Sequence, residues 1–147
     1  MTHGRVLATD KVIRQATVYR QVCGFDAFAR ESTGQIVVRT GTIGAIVLPS
    51  ALCQRVVAEM AWPGPVILDT SSRRPVATMM TGPPPSYLRS SSTYAALSAV
   101  EAVLMPDGDE VLLPSPRDPA RRWLPFEPLD PYRPTAEVVV TAILACR

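Results

Sequence analysis

Apolar residues recur at helical spacing in "KVIRQATVYRQVCGF", where Val12, Ala16, Tyr19 and Cys23 share one face and Arg14, Gln15 and Arg20 fall off it. Thr9 and Asp10 are placed to cap that helix, so residues 1–9 read as a loose N-terminus, and Gly24 is a natural stop. The pattern then changes period. "GQIVVRTGTIGAIVLP" predicts two strands around a Thr-Gly-Thr turn, and the second, apolar on both faces, belongs inside a sheet. In "PSALCQRVVAEMAW", Leu52, Val56, Val57 and Met60 line one helical face while Gln54, Arg55 and Glu59 point away. Ser50 is its candidate N-cap, and Pro63 and Pro65 end it.

"PVILD" and "VATMM" form a hairpin with "TSSRR" at its tip. "GPPPSYLRSSS" is extended or irregular, because three consecutive prolines favour polyproline geometry. A short helical turn from Thr93 leads into a strand near Ala99 to Met105; "PDGD" is a turn and "EVLLP" the returning strand. "SPRDPARRWLPFEPLDPYRP" reads as a proline-punctuated loop of about 20 residues, a length that in compact domains is functional or clamped to the surface. Pro134 can open a last helix, "PTAEVVVTAILACR". The order is helix, strands, helix, two hairpins, helix. It predicts an α+β fold: a single-layer, mostly antiparallel sheet of about six strands, with helices at both ends and one inserted. No repeat or linker divides the chain, so residues 1–147 read as one domain.

Composition narrows the function only a little. Hydrophobic content of 47% with 19% charged residues is that of a folding chain, not a disordered one. A net charge of +2 gives weak steering toward a polyanion. Lys11 is the only lysine; the remaining basic residues are arginines, which suit carboxylate and phosphate but equally reflect a GC-rich coding bias. Cys23, Cys53 and Cys146 are widely spaced and odd in number, so they read as free thiols in a reducing compartment. No leader pattern and no apolar run of about 20 residues is present, which predicts a cytoplasmic protein without a membrane span.

Candidate chemistry is sparse. His3, the only histidine, sits in the expected loose end, so histidine-dependent triads and multi-histidine metal sites are not expected. No GxGxxG, P-loop or GxSxG pattern occurs, and no cofactor is expected. Asp107, Asp109 and Glu110 resemble a cation-binding group, but "PDGD" explains them as a turn. Asp69, ending a strand before "TSSRR", is either a metal or phosphate contact or a side-chain cap of the hairpin. Arg73 and Arg74 at the hairpin tip, with Arg121, Arg122 and Trp123 in the long loop, are the candidate phosphate or nucleic-acid site, Trp123 stacking on a base. The other reading has Trp123, Leu124 and Phe126 pinning the loop to the core while the arginines are solvated.

"GDEVLLPSPRDPARRWLPFEP", together with "GAIVLPSALCQRVVAEM" and "WPGPVILDTSSRRPVATMMTGP" upstream, resembles small actinobacterial proteins related to the bifunctional DNA primase/polymerase N-terminal domain. The resemblance spans roughly residues 34–147 and implies a primase-polymerase-like fold. It also implies where catalysis would sit: paired metal-binding aspartates at the end of the central strand and a histidine in the next hairpin. Here those stretches read Val47, Leu48, Pro49 and "RRPVATMM". Two-metal transfer needs carboxylates to hold the ions. The resemblance therefore implies a non-catalytic binding or regulatory domain whose partner is a nucleotide or nucleic acid. The alternative is a structural or protein-interaction module that meets a protein partner through "GPPPSYL" and the proline-rich loop. An enzyme built on Asp69 and neighbouring hydroxyls ranks below both.

With magnesium or manganese, the purified protein is expected not to extend a primed template. Incorporation that survives removal of contaminating polymerases would contradict this.

Overall fold

The computed structural model describes residues 2–147, with side chains from Thr9 onward. His3 therefore lies outside the described side chains. The first half of the chain forms α1 (Thr2–Gln21), β1 (Phe28–Arg30), β2 (Gln35–Arg39), β3 (Gly44–Pro49), α2 (Ser50–Glu59), β4 (Val66–Asp69) and β5 (Val76–Thr81). A 3-10 turn at Ser86–Arg89 leads to α3 (Ser91–Ser98), β6 (Val103–Leu104), β7 (Glu110–Leu113), β8 (Arg121–Leu124) and α4 (Ala136–Ala145).

The α+β class holds, but the strands make two antiparallel sheets instead of one sheet of about six. The smaller has the order β1-β2-β7, the larger β6-β3-β5-β4-β8. The correction arises at two turns. β2 and β3 flank Thr-Gly-Thr yet enter different sheets. β6 and β7 flank "PDGD", but β6 pairs with β3 (Ile46 opposite Leu104) and β7 with β2 (Val38 opposite Val111), so the expected hairpin is a crossover. The crossovers lie side by side, pinned at buried Thr40. Its N–H donates to Asp109 O (2.9 Å), its carbonyl accepts from Gly108 N–H (2.9 Å) and its hydroxyl donates to Pro106 O (2.6 Å). Gly108 takes φ +87°, open to glycine at no steric cost.

Other boundaries shift for local reasons. α1 begins at Thr2, so residues 1–9 are not a wholly loose end, and Thr9 and Asp10 lie inside the helix instead of capping it; no glycine or proline interrupts residues 5–10. Pro49 occupies the N-cap position of α2, leaving Ser50 as its first helical residue. α4 is capped by Thr135, whose hydroxyl accepts from Val138 N–H (3.3 Å); Pro134 precedes it. α3 starts at Ser91 behind a Ser90 cap, and only Val103–Leu104 of the expected strand pairs. The long loop hides β8, which extends the larger sheet antiparallel to β4, with Trp123 opposite Ile67. A strand of four residues flanked by proline segments carries too little alternation to announce itself.

The larger sheet divides the core. On one face, Ala45, Ile67, Met80 and Trp123 meet Val12, Ala16, Tyr19 and Cys23 of α1 and Ile36, Val38, Val111 and Leu113 of the smaller sheet. On the other, Ile46, Leu48, Val66, Ala77 and Met79 are covered by apolar residues of α2, α3 and α4. Trp123, only 8% exposed, is the hub of the first face. Its Nε1–H donates to Tyr19 Oη (3.0 Å), and the Tyr19 hydroxyl donates to Pro114 O (2.5 Å). Phe25 stacks on the indole with ring centres 6.2 Å apart and planes 5° apart, and Tyr19 meets it edge-on at 5.7 Å. Burial pushes the Tyr19 hydroxyl pKa up, so it stays protonated and can donate.

Trp123→Ala is expected to cost about 3–5 kcal/mol in denaturant unfolding, through lost burial and the cavity left behind. Tyr19→Phe keeps the ring but strands the indole N–H and the Pro114 carbonyl, an expected loss of about 1–3 kcal/mol. An alanine variant with an unchanged midpoint would show that the indole does not anchor β8.

Candidate functional site

The five residues singled out for phosphate do not converge. Arg73 and Arg74 are exposed at the β4–β5 tip, and Arg74 forms a long ion pair with Glu101 (3.8 Å). Arg121 is mostly buried between two carboxylates, Asp69 (3.1 Å) and Asp118 (2.7 Å). Arg122 is exposed. Consecutive strand residues project to opposite faces, so Arg122 points away from Arg121. Trp123 spends its faces and its N–H on Phe25 and Tyr19, so the reading in which it pins this segment to the core holds and leaves no face for a base, although Phe126, expected to pin it too, is exposed.

Asp69 caps its hairpin, accepting from Ser71 N–H (2.8 Å) and from Arg121. The "PDGD" carboxylates also disperse. Asp107 accepts from Arg89 (2.7 Å), and Glu110 pairs with Arg30 and, at 3.5 Å, with Arg39. Among the described residues, no three His, Cys, Asp or Glu side chains come together as a metal-binding group. A cleft of about 230 Å³ between the sheets contains Asp69, Glu110 and Arg121, all engaged in these ion pairs.

A much larger concavity than this cleft lies elsewhere, on the helical side of the larger sheet. α2 and α4 each bury one face: Leu52, Cys53 and Val56 from α2, and Ala136, Val139, Val140 and Ile143 from α4. Their outer flanks leave an open groove of about 1210 Å³. The helices run antiparallel. Near one end of the groove Arg55 Nη2 donates to Cys146 O (3.5 Å), and near the other the Tyr132 hydroxyl donates to Trp62 O (2.8 Å). Small side chains, Ala58 on α2 and Ala142 and Ala145 on α4, keep the floor open, and Val138 adds an exposed apolar wall.

Trp62 stands at one end, 76% exposed. Its position follows from the "WPGP" corner. α2 stops at Glu59, Gly64 takes φ +71°, and a Cβ there would come within 2.4 Å of Pro134 Cδ. This close approach seats the corner on the proline-rich segment before α4, the segment that also supplies Tyr132. Tyr87, from the other proline-rich stretch, is exposed and gives its hydroxyl hydrogen to Glu137, which lines the same groove.

Trp62, Tyr132 and Val138 were not among the residues the sequence singled out. The available signal was a tryptophan beyond the last turn of a helix, off its apolar stripe and followed at once by Pro-Gly-Pro, so it had no core position to fill. Of the three thiols, Cys23 and Cys53 are buried, with pKa values pushed up to about 11 by burial, while Cys146 is half-buried at the groove. Compared with known proteins, the chain matches no family model, no curated protein and no solved structure.

Burial alone would raise the Asp69 pKa, but hydrogen bonds from Ser71 and the Arg121 charge together outweigh it and hold the carboxyl below its usual range. A carboxyl depressed in the folded state contributes stability that is complete above its unfolded pKa of about 3.9 and is lost as pH falls through the lower folded value. Thermal melts from pH 7 to pH 2 should therefore show a shallower acid limb for Asp69→Asn than for the native chain. Parallel acid limbs would remove Asp69 from the acid response.

Proposed function

We propose that this chain is a non-catalytic protein-interaction module whose docking face is the α2–α4 groove. The observation that carries this reading is Trp62: a large aromatic left 76% exposed beside a broad, mainly apolar concavity, in a backbone corner held by Gly64 and Pro134. Scattered exposed apolar side chains need no explanation, but a contiguous apolar recess edged by tryptophan and tyrosine has the composition of a recognition surface. The volume exceeds the usual 300–1,000 Å³ of small-molecule sites and the recess is open, which favours a polypeptide over a compact ligand. Both proline-rich stretches contribute at its margin, through Tyr87 and Tyr132.

A primase-polymerase-like ancestry is compatible with this role, since β3 ends in Val47, Leu48 and Pro49 and the groove lies on a different element pair. Nucleotide or nucleic-acid binding draws less support, because Arg121 is neutralised by two carboxylates and Arg122 points away from it.

The test is a photocrosslinking amino acid placed at Val138 in the chain's native cell, with Arg73 as the comparison site. A discrete protein adduct is expected from Val138, lost on Ala142→Arg, and absent from Arg73. In parallel, labelled single-stranded DNA or RNA should bind weakly, with no dependence on Arg73 or Arg74. Tight, salt-sensitive nucleic-acid binding lost with the arginine pair, and no adduct from Val138, would overturn the proposal in favour of the phosphate reading.

A further inference from the structure

The groove differs in charge from end to end. Glu137 lies at the Trp62 end, in the first turn of α4, and Glu59 lies in the last turn of α2 before Trp62. Arg55 lies one turn back along α2, beside Cys146 at the far end of α4. Among the described residues none of the three has an ion-pair partner; Glu137 accepts only the neutral Tyr87 hydroxyl and Arg55 reaches only a backbone carbonyl. Carboxylates left without a cation beside an apolar recess call for positive charge in whatever covers it.

The shape of the recess limits the occupant further. Its floor lies between two antiparallel helices, and alanines at Ala58, Ala142 and Ala145 allow a third backbone to approach closely, as packing of helix ridges into grooves requires. A helix carries about half a positive charge at its N-terminus and half a negative charge at its C-terminus. It is therefore complementary to this groove in one direction only, with its N-terminus toward Glu59 and Glu137 and its C-terminus toward Arg55.

We infer that the groove takes an amphipathic helix of a partner protein, lying parallel to α4, with basic residues in its first turn and an apolar stripe on Trp62, Val138 and the alanine floor. This inference rests on the docking reading above and adds the conformation, charge and direction of the occupant. A partner helix of three turns matches the length of α4, about 15 Å.

The experiment uses three fluorescein-labelled synthetic peptides with one leucine–alanine stripe. The first has lysines in its first turn and glutamates in its last, the second reverses the charges, and the third is the first with a central proline. Anisotropy at low salt should show the first binding about three- to tenfold more tightly than the second, the size expected of two exposed charge pairs plus the helix dipole. The third should lose most of the binding, because proline breaks the helix. In the Arg55→Gln/Glu59→Gln/Glu137→Gln variant the preference between the first two should vanish while apolar binding remains; glutamine still offers Tyr87 an acceptor, and an unchanged melting temperature checks the fold.

Equal or reversed preference, full binding of the proline peptide, or no binding of any of the three would overturn the inference. So would a groove-dependent dimer in sedimentation, abolished by Ala142→Arg, since a second copy would then be the occupant. If these fail while the Val138 adduct survives, the groove still docks a protein, but not this helix. Loss of the adduct as well would remove the docking reading itself.

Discussion

The hydrogen bond from the Trp123 indole to the Tyr19 hydroxyl ties together parts of the chain that have no covalent reason to meet. Trp123 belongs to an edge strand of the larger sheet, Tyr19 to the first helix, and the Tyr19 hydroxyl passes its own hydrogen to Pro114, just beyond the strand that closes the smaller sheet. Phe25 fills the remaining face of the indole, and the Arg133 guanidinium lies 5.0 Å from the Phe25 ring centre. A polar relay in an apolar interior is stable only when every member is satisfied. Here each donor has an acceptor, so the layer of α1 and the smaller sheet is held in one arrangement against the larger sheet.

The opposite side of the molecule follows from that arrangement. With α1 occupying one face of the larger sheet, α2, α3 and α4 cover the other with their apolar residues. Alanines on the outer flanks of α2 and α4 leave space that larger residues would have filled. The proline-rich segment between β8 and α4 crosses from one side to the other. Its Glu127 accepts from Gln15 of α1 (2.8 Å) and Pro128 O accepts from Cys23 Sγ (3.3 Å), before Tyr132 reaches Trp62. One segment is thus anchored in the core and, at its other end, helps form the groove.

Charge is distributed to suit this division of labour. Arg30, Arg89 and Arg121 each satisfy a carboxylate across elements, which turns part of an arginine-rich composition into structure. These pairs join segments distant in the chain, so their value is geometric, fixing crossovers and hairpin ends.

Residue spacing alone determined the apolar face of α1, since Val12, Ala16, Tyr19 and Cys23 are all buried, and the β4–β5 hairpin, whose register places Asp69 opposite Val76. It also determined the α+β class, because both periods, near 3.6 and 2, are written in the chain itself. Tertiary structure decided which strands pair. β2 and β3 flank a short turn as hairpin strands do, so nothing local records that they enter different sheets, and β8 is too short to alternate visibly. It also chose the core reading of Trp123 over the stacking one and left Trp62 at the surface. Both are tryptophans beside prolines in the sequence; one meets Tyr19 and Phe25 across about a hundred residues of chain, and the other meets only a backbone corner and open space. Outside a periodic element, burial depends on contacts distant in sequence.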